Sequence, residues 1–430
     1  MGITCKRKKN MDSKIRSIKA REILSSNGLP TLETTVLCAN GTNSSVSIPY
    51  GESAGKYEAV TIFDEDKSRY EGYGMLKAVK IVDEIISPQL AGVDVTDQKQ
   101  IDQKLFDLDP TPQKTNLGGN SLLSVSLACA KTASVIEKLP LYIYIQKTYG
   151  FDGGITNMPK PNMVVLEGGK HADNSTDFQE YSVSVIGKFN CSDSVRAGIE
   201  IYRSLGRELK LNGFNINVGA EGAYAAVSMK SNIDPLLYIK NAIEKTKYIP
   251  EKDVGISLDP AASEFYESGF YNLSKDQKKF NSSEMITYYE NLLDNYPIIS
   301  IEDGLAEEDW DNWKPLFTKL SEKIMIVGDD LTVTQEKRLK RAIDEKTINS
   351  IIIKPNQAGT LTETMATVML AKDNNIKTIV SHRGGGETTD TFIIDLAVAI
   401  GAEYVKVGPT RGERTQKYNR LMEIAAELNL

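Results

Sequence analysis

Residues 298–354 read IISIEDGLAEEDWDNWKPLFTKLSEKIMIVGDDLTVTQEKRLKRAIDEKTINSIIIK. Three short apolar runs, 298–301, 324–328 and 350–353, each stop at a charged residue: Glu302, Asp329 and Lys354. Short β-branched runs of this kind suit buried strands, and the amphipathic stretches between them suit helices. Trp310 and Trp313 share one face of the first helical stretch, where packing accounts for them. Lys337–Arg341 opens the second and reads as a solvated, charge-rich face. Strands alternating with helices at this spacing indicate a parallel sheet covered by helices.

The same rhythm continues on both sides. Gly255–Leu258 ends in Asp259, Thr378–Val380 leads into Ser381, His382 and Arg383, and Tyr404 and Val405 precede Lys406. Helical stretches at 283–295, 334–345, 360–373 and 391–400 lie between them. The number of units predicts an α/β fold with a closed (β/α)8 barrel over 153–430. Strand C-terminal ends converge on one mouth of such a barrel, so the charged strand ends are expected to face one another. Residues 14–152 read as a smaller α+β domain, with strands at 14–23, 30–38 and 45–49 and an Asn40-Gly41 turn. Helices are expected around 74–86, 97–108 and 120–137. PYGESAGKYEA (49–59) has glycines and no period, and reads as a mobile loop.

Residues 1–13 are expected to form a tail without fixed structure. Gly2, Cys5 and the basic run 6–9 are the parts of an acylated membrane tether, although Lys6 stands where Ser or Thr is preferred. A start at Met11 is the alternative reading. The net charge of −7 over 430 residues, without a basic stripe, argues against a nucleic-acid partner. No segment is apolar enough over enough residues to span a bilayer. The four cysteines, Cys5, Cys38, Cys129 and Cys191, lack metal-ligand spacing and suit a reducing, cytoplasmic compartment.

A single Asp after a strand ordinarily caps the next helix. Repetition over successive strands points to chemistry instead. Asp259, Glu302 and Asp329 offer three hard oxygen ligands, which suits Mg²⁺. Lys354 and Lys406 follow, and a lysine beside a metal and other cations is expected to have a depressed pKa and to act as a base. Carboxylates holding Mg²⁺ opposite a lysine suit removal of a proton beside a carboxylate, where metal and ammonium stabilise the enediolate. SHRGGGETTD (381–390) sets a basic pair beside bare backbone, as an anion site or a flexible turn.

The segments SLDPAASEF (257–265), SIEDGLAEEDW (300–310), VGDDLTVT (327–334), KPNQAGTLTET (354–364), SHRGGGET (381–388) and RGERTQKYN (411–419) resemble the enolase family. So do KARE (19–22), DKSRYEG (66–72) and HADNSTDFQE (171–180), in order along nearly the whole chain. The resemblance implies an α+β domain ahead of an enolase-type barrel that starts irregularly. It also implies a homodimer and a cytoplasmic glycolytic lyase converting 2-phosphoglycerate to phosphoenolpyruvate with two Mg²⁺. By matching motif, Asp259, Glu302 and Asp329 would hold the first Mg²⁺, and Ser53 would complete the second site. Lys354 would be the base and Glu221, in VGAEGAYAA, the acid, supported by Glu180. Gln179 and His171 would line the substrate, Lys406 would face its carboxylate, and Arg383 with His382 its phosphate.

Several positions depart from the family pattern. Ala54 replaces a threonine beside Ser53, and Glu52 adds a carboxylate. Asn27 replaces an arginine, Ala220 replaces the Asp before Glu221, and Glu167 and Lys170 flank the glycines before His171. Gly384 replaces a serine in a loop one residue longer, the loop after Lys406 is one shorter, and Pro355 follows Lys354. These changes spare the acid, the base and the metal ligands and alter substrate-clamping groups. Three readings follow: an ordinary enolase, a lyase for a related phospho- or phosphono-carboxylate, or an enolase-like binding protein with little activity.

Overall fold

The computed structural model describes residues 13–51, 55–151 and 153–430. Gly2, Cys5, Met11, Glu52, Ser53 and Ala54 lie outside the described residues. Ser13 is already fixed, its carbonyl accepting the Val95 N–H at 3.0 Å. The N-terminal part is an antiparallel meander of β1 (Ile15–Leu24), β2 (Pro30–Cys38) and β3 (Asn43–Ser47). Gly41, at φ +87°, makes the turn between the last two. Helices α1 (Gln98–Leu108), α2 (Gly119–Glu137) and α3 (Leu141–Tyr149) follow. α2 is rich in Ser, Ala and Leu, and these small side chains let it lie buried against β2 and β3, where Thr34 and Ser124 hydroxyls meet at 2.8 Å.

The second part is a closed eight-stranded barrel. Its strands are β4 (Lys160–Glu167), β5 (Glu180–Val185), β6 (Val254–Asp259), β7 (Ile298–Glu302), β8 (Met325–Gly328), β9 (Ser350–Ile353), β10 (Lys377–Ser381) and β11 (Tyr404–Val407). Six strand pairs are parallel, but β5 runs antiparallel to both β4 and β6. The alternation rule predicts a parallel sheet throughout and misses this strand. Its cause is the hairpin-like connection 168–179, which contains no crossover helix and so reverses the chain. Helix starts carry local signals. Asn281 and Glu284 form a reciprocal capping box ahead of Ser282–Leu293, and the Thr360 hydroxyl caps Leu361–Asp373. The helix expected from residue 334 starts at Glu336, because Val333 and Thr334 have φ of 43° and 50°. Thr334 instead accepts the Lys354 N–H at 2.9 Å, which fixes the backbone of that strand end.

The two parts are stitched together by buried polar groups. Lys114, 1 % exposed, pairs with Glu363 at 2.7 Å. Asp102 accepts bonds from Ser126 in α2 and from Thr362 in a barrel helix, both at 2.6 Å. Cys38, Cys129 and Cys191 are free thiols buried in the core. No helix among the described residues is long and apolar enough to cross a membrane.

Candidate active site

Strand register brings the charged ends together. Glu167 pairs with Glu180 across β4–β5, Glu180 with Asp259 across β5–β6, and Ser381 with Lys406 across β10–β11. The resulting cavity is lined by His171, Gln179, Glu180, Glu221, Asp259, Asp329, Lys354, His382, Arg383 and Lys406, joined by Glu58, Asp303, Asp330 and Gly384. A larger cavity of about 840 Å³ opens near Met158, Lys160 and Glu403, at the opposite end of the barrel. None of the charged strand ends reaches it, so the small polar cavity is the candidate site.

Lys406 is its centre. The ammonium, 3 % exposed, lies 2.8 Å from Glu180, 2.9 Å from Asp259 and 2.8 Å from Glu302. Burial draws its pKa down, but Asp259, Glu180 and Glu302 outweigh burial and hold it well above the ordinary lysine value. Lys354 is paired with Asp329, which also accepts the Gln357 amide at 2.8 Å. Burial, Arg383 and Lys406 act to lower the Lys354 pKa, yet Asp329 keeps it raised. The depressed lysine pKa values expected from the sequence belong to lysines beside a bound metal; without one, the carboxylates that face Lys354 and Lys406 keep both ammonium groups charged.

The three expected metal ligands do not form one cluster among themselves. Asp259 and Glu302 grip Lys406, while Asp329 grips Lys354. The oxygens that do lie within 4.8 Å of one another belong to Asp303, Asp329 and Asp330. Asp303 accepts the N–H groups of Asp329 at 3.0 Å and Asp330 at 2.7 Å, which fixes this arrangement. Burial and mutual repulsion push the carboxyls of Glu302, Asp303 and Asp330 well above their usual range. An all-oxygen set whose ionisation is opposed by burial and by mutual repulsion fits a hard divalent cation, which would relieve both. Gly55 closes against it, since a Cβ there would lie 2.8 Å from Asp330 Oδ1.

Glu221, 1 % exposed, stands at the other side between two histidines. Its carboxylate is 3.5 Å from His171 Nδ1 and 3.5 Å from His382 Nε2. Arg414 Nε donates to His382 Nδ1 at 3.2 Å, so the neutral ring carries its proton on Nε2, facing Glu221. Burial opposes ionisation of Glu221, but His382 and His171 hold its pKa well below the usual range. Burial likewise opposes a charged His171, but Glu221 and Glu180 push its pKa up to about 9. Gln179, 8 % exposed, borders the same space.

Arg383 is reached from the N-terminal part of the chain. Its guanidinium donates to Glu58 at 3.0 Å, and its N–H to Glu387 at 3.0 Å. Gly51 lets it pass, because a Cβ there would be 1.6 Å from Nη2. Gly385–Gly386 pairs antiparallel with Tyr50–Gly51. The glycines at 385 and 386 thus form a short ladder in place of the flexible turn that was one of the two sequence readings. The described part of the 49–59 loop is docked by the same contact and by buried Glu58.

Glu58, Glu167, Asp303, Asp330 and Arg414 were not among the sequence candidates. Asp303 and Asp330 follow strand-end acids directly, and Glu167 ends a barrel strand, so the strand-end rule applied to each of them. Nothing local marks Glu58 or Arg414.

The fold and the site define a protein of the enolase superfamily: a closed barrel whose mouth collects carboxylates, lysines and an arginine, preceded by an α+β domain. Residues 155–430 match the family model described as the enolase C-terminal TIM barrel domain, and residues 15–145 match the enolase N-terminal domain. The chain belongs to the enolase family, whose members suggest a lyase-type enzyme.

Proposed function

We propose that this protein dehydrates 2-phosphoglycerate to phosphoenolpyruvate, as a Mg²⁺-dependent glycolytic enolase. The observation that supports it is one cavity holding Lys354, Lys406 and Arg383 together with Glu221 and the strand-end carboxylates. Asp259, Glu302 and Asp329 are the proposed ligands of the first Mg²⁺, with Asp303 and Asp330 at hand and Ser53 completing a second site. Bound there, the metal supplies positive charge that stabilises an enediolate.

Lys354 takes the α-proton in this reading. To do so it must first be neutral, and the Asp329 carboxylate keeps it protonated. With Asp329 engaged as a metal ligand that hold would weaken, and burial, Arg383 and Lys406 would favour the neutral amine. Lys406 faces the substrate carboxylate, and Arg383 with His382 the phosphate. In this reading His171, charged and 3.5 Å from Glu221, is the source of the proton that Glu221 delivers to the departing hydroxyl, while Glu180, 3.4 Å from His171, supports the pair. Gln179 lines the substrate. By resemblance alone, the protein is proposed to be a cytoplasmic homodimer.

A second reading, a related phospho- or phosphono-carboxylate as substrate, draws on Gly384. The space a serine side chain would take there is filled by Glu221 and His171. Phosphoenolpyruvate formation from 2-phosphoglycerate, followed with and without Mg²⁺ and in Lys354→Ala, tests the proposal. Mg²⁺-dependent turnover lost in the variant supports it. No turnover, with tight binding of a three-carbon phosphonate, favours the second reading. Neither turnover nor binding leaves an enolase-like binding protein.

A further inference from the structure

The loop that carries Glu221 has no strand of its own, yet every side of it is held. Its carbonyls are taken from above, where Arg411 Nη1 donates to Gly219 at 3.0 Å and Ala220 at 3.1 Å, and Thr410 donates to Gly222 at 2.5 Å. Its N–H groups go to one side chain. Glu167, fully buried at the end of β4, accepts the Glu221 N–H at 3.1 and 3.3 Å and the Ala223 N–H at 3.1 Å. A buried carboxylate is costly unless its oxygens are occupied, so an acid at this position implies a use for its charge or its geometry.

Packing around this loop is close. A Cβ on Gly219 would lie 2.5 Å from Glu167 Cδ, and one on Gly408 would lie 1.9 Å from the Glu221 carbonyl oxygen. A Cβ on Gly384 would strike the Glu221 carboxylate itself at 2.6 Å. One polar side-chain atom from each of Glu167, His171 and Glu221 lies within 4.8 Å of the other two. The charged and titratable groups facing Glu167 are Glu221, His171, Arg414 and the Tyr202 hydroxyl. Ala220, the residue before Glu221, brings no polar side chain to this cluster.

We propose that Glu167 is the positioning residue of the acid: it clamps the amides on either side of Glu221 and so fixes where that carboxyl meets the leaving hydroxyl. The inference rests on the reading of Glu221 as the acid. Lys354 stands on another strand and has no bond to Glu167, so proton abstraction and hydroxide loss separate in this scheme. Loss of Glu167 impairs the second step and spares the first.

The experiment follows 2-phosphoglycerate in ²H₂O with the full-length protein and Mg²⁺, reading α-proton exchange by NMR and phosphoenolpyruvate formation together. Glu167→Gln replaces one acceptor oxygen by a donor. Dehydration is expected to fall about 10- to 100-fold while exchange stays within about twofold, because a misplaced acid leaves the base untouched. Glu167→Asp, which keeps the carboxyl on a shorter arm, is expected to fall between wild type and Glu167→Gln, and carries the same comparison if Glu167→Gln does not fold. Equal loss of exchange and dehydration means general damage and overturns the inference, as does no loss of either. Wild-type protein that neither exchanges nor dehydrates overturns the underlying reading, and this inference with it.

Discussion

Gly384→Ser tests whether the space around the acid is used. The backbone at Gly384 is not left-handed, so a side chain there meets a packing problem alone. Its Cβ would lie 2.6 Å from Glu221 Oε1, 2.6 Å from His171 Cε1 and 2.7 Å from His171 Nε2. Ordinary contact begins near 3.4 Å, so each group must retreat by about 0.8 Å. Glu221 cannot retreat freely, since His382 lies 3.5 Å away on its other oxygen and its backbone is fixed by Glu167. Overpacking of this kind costs about 1–3 kcal/mol of stability. Moving an acid by nearly 1 Å costs on the order of 100-fold in the step it serves. The assay is steady-state dehydration of 2-phosphoglycerate beside a thermal melt. The expected result is kcat down by on the order of 100-fold, with a melting temperature only a few degrees lower. A variant with unchanged or higher kcat and a lower KM would refute the reasoning. It would show that the site accepts a serine hydroxyl as a phosphate contact and that Gly384 is a simple loss.

Three further outcomes follow from the same geometry. Lys406→Met leaves Glu180, Asp259 and Glu302 buried without their shared cation, and is expected to lose about 3–5 kcal/mol, seen as a large drop in melting temperature in chelator; an unchanged melt contradicts the pairing. Gly51→Ala drives into Arg383 and is expected to raise KM several-fold more than it lowers kcat, whereas equal kinetic constants would show that the guanidinium is free to move aside. Glu387→Gln reports on pH: burial opposes ionisation of Glu387, but Lys417 and His382 hold its pKa below the usual range. Its contribution is therefore present above the unfolded value and lost as pH falls through the lower folded value. The melting gap between wild type and Glu387→Gln should be full at neutral pH and close below about pH 4, and a gap independent of pH would contradict the ion pair.

Much of the barrel was legible because strands and helices of this type are written locally. The apolar runs ending at Glu302, Asp329 and Lys354 fall on observed strands or directly after them. The one inverted strand, β5, was hidden from periodicity, because direction is set by the connection at 168–179 and that stretch carries no periodic signal; only the resemblance, with its irregular barrel start, anticipated it. The charged strand ends gave the right neighbourhood for the site but not the contacts its groups make in the metal-free chain. Asp259, Glu302 and Asp329 were read as one ligand set, whereas each meets a lysine, and Asp303 and Asp330 complete the only close oxygen cluster that includes Asp329 among the described residues.

The sequence by itself determined the class of fold, the family and the roster of charged strand ends, because these depend on residue order and periodicity over a few positions. Which charge faces which was decided by tertiary structure alone. Arg383 meets Glu58 across 325 residues, and Lys406 meets Asp259 across 147. No local pattern encodes such pairings, since they arise only when barrel closure and docking of the first domain bring distant backbone within hydrogen-bond range. The same holds for Glu167: its identity was visible as an oddity beside two glycines, but its grip on the Glu221 loop exists only in the closed barrel.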